Sequence, residues 1–309
     1  MFNQELKQRF VKEHSTSLYK RRCCVDVFNT IAPYEEKLGK DVCTMTSDEI
    51  EPVANDLLGM RQKSTMRFDI LKKYVEWCIA NNVNGAVDEL DKVTLSNLDK
   101  LKRRTVTGPL QLQVYLNAAF SPESSMGIDN TYRAFFWLAF AGIPFDSSLD
   151  ITTDQVDLTG MRIVLDGREY PIYKEGLACF RNCVESQFFV RKHPRYGTPM
   201  KCSRVDGDLL FRGIRANPVK TTFIPTVRKL TETARDEGRT DKELSYSRIK
   251  MSGQFYRMYE DERAGLPVDA GSVVDEIISE KPDAYYSRMQ RLRMIRELIG
   301  DYENWKQTF

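Results

Sequence analysis

Four stretches of this sequence set cations beside small hydroxyls or helix-start amides, the combination that grips phosphate. Lys63, Ser64, Thr65 and Arg67 open one helical run. Lys100, Lys102, Arg103 and Arg104 put four cations into five positions. From Arg191 to Lys220, eight cations (Arg191, Lys192, Arg195, Lys201, Arg204, Arg212, Arg215, Lys220) stand against Asp206 and Asp208 alone, in a chain whose formal net charge is +2. Tyr196, Gly197, Thr198 and Ser203 are interspersed there, as suits backbone contacts. Ser245, Ser247, Arg248 and Lys250 mark another helix start, and a helix entering the major groove by its first turn uses such residues. Duplex DNA is the partner these stretches suggest. Charge runs also decorate plain solvated faces, so their placement in the fold decides.

Other chemistries find little support. With only His14 and His193, no Ser-His-Asp arrangement can be assembled, and there is no Gly-rich phosphate loop or short paired-carboxylate motif. Cys179 and Cys183, spaced i and i+4, can join His193 and Cys202 around zinc, but a packed helix wants small apolar residues there anyway. We therefore expect no metal and no cofactor. Seven cysteines without framework spacing, Cys23 and Cys24 adjacent among them, suit a reducing compartment. No apolar run approaches the roughly 20 residues of a membrane span. The opening MFNQELKQRFVKEH is charged throughout and has no signal-peptide core, so a cytoplasmic, DNA-associated protein is expected.

The elements that must position these residues are mostly helices. At 309 residues the chain is long enough for two ordinary domains. Leu6, Phe10 and Val11 share one helix face. Leu18, Val25, Phe28 and Ile31 share a second, on a helix expected to end before Pro33. Thr46-Ser-Asp-Glu starts a third with Ile50, Val53 and Leu57. Ser64 caps a fourth, whose buried stripe is Phe68, Leu71, Val75, Cys78 and Ile79. This predicts a compact helical domain over 1–98, a basic linker over 99–108 and a second domain over 109–309. In the second domain NTYRAFFWLAFAG reads as the central helix. MRIVLDGREYPIY reads as a hairpin turning at Asp166-Gly167, with Pro171 marking its second strand as an edge. LACFRNCVESQFFV reads as a helix and residues 191–220 as a basic loop around the short buried segment GDLLFRG. At the end, Tyr285, Met289, Leu292, Ile295, Ile299, Tyr302 and Trp305 recur on one helix face, suited to packing on the chain's own core or to coupling two molecules on DNA.

This order of elements resembles the tyrosine recombinase, or phage integrase, family. Ser64–Asn82 resembles the last helix of that family's core-binding domain. Ala141–Leu158 resembles its first catalytic motif without a gap, Arg168–Ile172 the end of its hairpin, and Asp208–Phe211 its short buried segment. The resemblance implies a mainly α fold with a small β-hairpin or sheet: a SAM-like helical N-terminal domain and a tyrosine-recombinase-like C-terminal domain. It also implies where catalysis is missing. The first arginine of the family's set falls on Pro144, which has neither charge nor donor, and the acid three positions on falls on Ser147. Arg168 is the nearest cation to the hairpin lysine. The second motif falls on Ser247-Arg-Ile-Lys250, with serine for histidine and lysine for arginine. The nucleophile's place falls on Tyr285 or Tyr286. We therefore expect a catalytically degenerate scaffold, similar to integrase-like prophage lysogeny repressors and no longer an enzyme. A divergent active recombinase, or an accessory protein that binds another recombinase, are the alternatives.

Overall fold

The computed structural model describes residues 2–58, 66–96, 98–120, 128–192, 196–214, 216–280 and 286–309. The chain divides into two compact units, Met1–Leu101 and Lys102–Phe309. It is mainly helical, with a small antiparallel strand set.

The first unit carries α1 (Gln4–His14), α2 (Leu18–Leu38), α3 (Ser47–Leu57) and α4 (Met66–Ala80), and most of α5 (Leu98–Arg104). Helix starts follow side-chain chemistry: Ser17 accepts from the Lys20 amide, and Thr46 with Glu49 forms a capping box. The core joins Phe10, Phe28, Tyr74 and Trp77 edge-to-face. Within it lies a buried ion pair, Lys7 Nζ at 2.5 Å from Glu35 Oε1 and 3.5 Å from Asp41 Oδ2. Burial pushes the Glu35 carboxyl up, opposed by Lys7.

Local pattern misplaced some residues here. Helix α2 does not end before Pro33 but runs through it to Leu38. Pro33 lies on the exposed side, where water can serve the carbonyl of Asn29 that loses its partner. Leu18 and Val25, read on the apolar face of α2, and Ile79, expected in the buried stripe of α4, are exposed.

The second unit is built on α7 (Ile128–Ala141), whose residues from Ala134 to Ala141 are all buried. It packs against α8 (Leu177–Glu185) and α10 (Tyr246–Arg263). The α7–α10 approach is tight: a Cβ at Gly253 would lie 1.9 Å from the Phe140 carbonyl oxygen. Helix α6 (Pro109–Ala119) packs on α9 (Lys220–Asp236), and α11 (Ala270–Ser279) on α12 (Arg288–Lys306).

A three-stranded antiparallel sheet runs β1 (Val156–Asp157), β2 (Arg162–Leu165), β3 (Arg168–Pro171). Its β2–β3 turn is the expected one, with Asp166 at φ 50° and Gly167 at φ 76°, and Pro171 is on the edge strand. A second sheet was not expected. Helix α8 stops at Glu185, and Phe188–Lys192 (β4) pairs with Pro199–Ser203 (β5). Part of the basic loop read over 191–220 is therefore a hairpin.

Candidate nucleic-acid interface

Two of the basic stretches meet around one carboxylate. Helix α5 ends in Lys102-Arg103-Arg104, and the approach to α10 carries Glu243. Arg104 Nε lies 3.0 Å from Glu243 Oε2, Arg103 Nη1 3.8 Å from Oε1 and Arg248 Nη1 3.9 Å from Oε2. Arg248 also donates to the Glu243 backbone carbonyl, and the Glu243 amide donates to the Arg103 carbonyl at 2.8 Å. Burial pushes the Glu243 carboxyl up, but Arg104, with Arg103 and Arg248, outweighs it and holds the group below its ordinary value. Lys242 reinforces the junction by donating to the carbonyls of Lys102 and Thr105. Three arginines share one acid, so the cluster keeps a positive surplus, and Lys102 and Arg103 are exposed.

The start of α10 borders this cluster. Ser245, its N-cap residue, and Ser247 are exposed, with their hydroxyls 3.2 Å apart. The Ser245 side chain makes no cap bond to the helix amides. Hydroxyls, helix-start amides and guanidiniums together form a group of donors suited to a phosphate backbone.

A second group lies along α10, around Lys250, which the resemblance marks as a degenerate position. Tyr246 donates to the Ile143 carbonyl at 3.0 Å, which ties the start of α10 to the residue before Pro144. Its phenol is pushed up by burial. Lys250 is buried and donates to Glu280, on the residue after α11. Arg257 donates to the carbonyls of Phe140 and Ala141 at 3.3 and 3.0 Å and sits 4.0 Å from Glu276. Arg168, Tyr170, Arg257, Ser272 and Glu276 help to line a cavity of about 510 Å3. Of the marked positions Lys250 thus faces a carboxylate of its own chain, as does Arg257, which the resemblance did not mark. Tyr286 directly precedes Ser287, the N-cap residue of α12.

Other expectations are corrected. Arg204 is not a surface contact: it is buried, donates to the Cys183 carbonyl and Asn182 Oδ1, both at 2.9 Å, and stacks 4.3 Å from the Phe189 ring centroid. Arg212 is likewise buried, bonded to Gln187 and the Ser186 carbonyl. Both arginines fasten the root of the second hairpin to the end of α8, because helix C-terminal carbonyls attract cations. Lys100 leaves the cationic run as well, buried and donating to the carbonyls of Asp56 and Leu58. Arg67 bonds Thr30 Oγ1 at 2.8 Å and the Asp26 carbonyl. Lys201 remains exposed, beside the Phe188 ring. Lys63, Ser64, Thr65, Arg195 and Tyr285 lie outside the described residues, as does His193. Cys179 and Cys183 are core residues, and burial pushes the Cys183 thiol up to about 12.

Sequence reasoning passed over Glu243, Lys242 and Arg257, which only the tertiary fold brings to these places. It also passed over Lys20, Arg21 and Arg22, three consecutive exposed cations on α2 whose run alone was a signal.

These features define a mainly helical, two-unit protein with a cationic face at the start of α10. Comparison with protein families adds one finding: residues 1–80 match the model described as the MrpR N-terminal core-binding domain. That is a domain of the integrase and recombinase type, so the match supports the resemblance over the first unit. No curated protein matches the chain. Among the described residues, no helix is long and apolar enough to cross a membrane.

Proposed function

We propose that this chain is a sequence-specific duplex-DNA-binding protein on a tyrosine-recombinase-like scaffold without cleavage chemistry, serving as a phage or prophage transcriptional regulator of the lysogeny-repressor type. The convergence of Arg103, Arg104 and Arg248 on Glu243, beside the open start of α10, carries this reading. It offers cations and hydroxyls to phosphates, with Arg248 near the first turn of a helix, where base edges are read. The core-binding match over residues 1–80 supports the same partner for the first unit. The absence of cleavage is inferred from Pro144 and from Lys250, whose ammonium is engaged by Glu280. A phosphoryl transfer needs free cations on the scissile phosphate, and a buried, neutralised lysine supplies none.

The test is a mobility shift with duplex fragments from the protein's own genome, run beside a denaturing gel of the same mixtures. Retarded complexes on the first gel and no covalent species on the second are expected. A covalent adduct would establish the divergent recombinase instead. No retardation with any fragment would leave the accessory-protein reading.

A further inference from the structure

Helices α1 and α2 of the first unit leave an open groove between them, with a volume of about 540 Å3. Val11 of α1 and Val25 and Phe28 of α2 give it an apolar lining. Phe28 is buried, whereas Val25 is 45% exposed. Arg21, Val25 and Phe28 fall at i, i+4 and i+7, on one face of α2. Leu18, three residues before Arg21 and 75% exposed, carries the apolar strip further along that face. The other apolar residues of α2, Val27 and Ile31 among them, are buried in the core. Helix α2 therefore has two apolar sides, one turned to its own domain and one to water.

The charge along the groove is of one sign. Lys12 and Arg21 line it and are exposed, as is Arg22, next in sequence, and no carboxylate lines it. Lys7 lines it too, but its ammonium lies 2.5 Å from Glu35 Oε1 and 2.7 Å from the Phe2 carbonyl oxygen. Lys7 thus contributes its stem to the groove and spends its charge beneath it. Isolated apolar residues on a surface need no explanation. Leu18 and Val25 differ because they continue a concave apolar lining that cations flank. A duplex backbone would match the cations and leave the apolar strip unmatched. A wholly apolar partner would do the reverse. A helix with an apolar stripe bordered by acids matches both, and packing a helix into the furrow between two others is an ordinary mode of recognition.

We propose that the α1–α2 groove is the docking site for an acidic amphipathic helix of a partner protein. Its apolar residues, spaced i, i+3, i+4 and i+7, rest on Val11, Val25 and Phe28, and its carboxylates meet Lys12 and Arg21. The apolar anchors supply most of the affinity, and the charges select the partner and set its orientation. The site shares no residue with the cationic face at the start of α10 and does not depend on the reading of that face.

The probe is a phage-displayed library of helical peptides with Leu fixed at i, i+3, i+4 and i+7 and Glu, Gln or Lys allowed at the bordering positions. Selection on the full chain should enrich members bordered by Glu. The best of these, synthesised with a fluorescent label, should bind in anisotropy titrations and lose about tenfold in affinity to Val25→Ser. Lys12→Glu plus Arg21→Glu, at two exposed residues, should turn the selection towards members bordered by Lys. That reversal decides alone if Val25→Ser does not fold. Titrations of Val25→Ser with duplex DNA should match wild type, since the substitution changes no charge. No enrichment, enrichment without preference for Glu, or peptide affinity untouched in a Val25→Ser protein with a normal melting curve overturns the proposal. So does weaker duplex binding in Val25→Ser with peptide binding intact, which would give the groove to DNA.

Discussion

Arg104 Nε lies 3.0 Å from Glu243 Oε2, across 139 positions of sequence. That contact joins the end of α5 to the approach to α10 and makes one cationic face of two separate runs. Glu243 serves here as an organiser, holding Arg103, Arg104 and Arg248 together. Its folded carboxyl sits below the ordinary value because Arg104 and its neighbours outweigh the cost of burial. A depressed carboxyl contributes stability that is fully present above the unfolded value, about 4.3, and is lost as pH falls through the folded one. Glu243→Gln should therefore melt lower than wild type at pH 7, and the gap should shrink at pH 3. Melting curves at the two pH values check this, and a constant gap would deny Glu243 that role.

The same face should report on salt. Arg103→Ala plus Arg104→Ala is expected to weaken binding to all duplexes and to lower the salt slope by about 0.9 per lost phosphate contact. Arg248→Ala should act differently, relaxing preference between sequences by about 1–3 kcal/mol if it reads a base. Titrations of a preferred and an unrelated duplex at several salt concentrations separate the two effects.

Chemistry at the phosphate should be absent. With Pro144 where the resemblance places the family's first arginine, and Lys250 engaged by Glu280, suicide duplexes incubated with the protein should give no slow band on a denaturing gel. A band that disappears in Tyr285→Phe or Tyr286→Phe would falsify this expectation.

How much of this was legible depended on how local the cause was. The Asp166-Gly167 turn was, because both residues adopt the positive φ that this dipeptide favours. The buried helix α7 was, because every residue from Ala134 to Ala141 is apolar. The β4–β5 hairpin was not. Its strands carry Arg191, Lys192 and Lys201, and charge on a two-stranded ribbon looks like charge on a loop. The fate of Arg204 and of Lys100 was equally hidden, since each is decided by carbonyls far along the chain. Of the interface, the runs were legible and their meeting point was not, because nothing local marks Glu243 among the other acids.

Arg204 provides a test of that correction. It bonds Cys183 and Asn182 and stacks on Phe189, so its role lies in folding. Arg204→Met keeps most of the volume but leaves the buried Cys183 carbonyl without its donor, at about 1–3 kcal/mol, and the part-buried Asn182 Oδ1 as well. We expect a clearly lower melting temperature with DNA affinity unchanged below it. Loss of affinity at full stability would return Arg204 to the interface.

The C-terminal helix divides its residues between two faces, and so changes how association should be probed. Tyr302 and Trp305 are buried, with Trp305 Nε1 donating to the Val106 carbonyl at 3.1 Å and its ring 5.7 Å from that of Phe255. This half of α12 is core of its own unit, and Trp305→Ala should cost about 3–5 kcal/mol. Deleting it would confuse folding with association. Met289, Leu292 and Ile299 are exposed and recur at i, i+3 and i+10, which places them near a common face. If two molecules couple on DNA through α12, these residues make the contact, and coupling raises occupancy of a two-part site through effective concentration. Met289→Glu plus Ile299→Glu should therefore leave the melting curve and single-site affinity intact while removing cooperativity on a fragment that carries two sites. Footprint titrations on one-site and two-site fragments measure both quantities, and retained cooperativity in a folded variant excludes this face as the coupling surface.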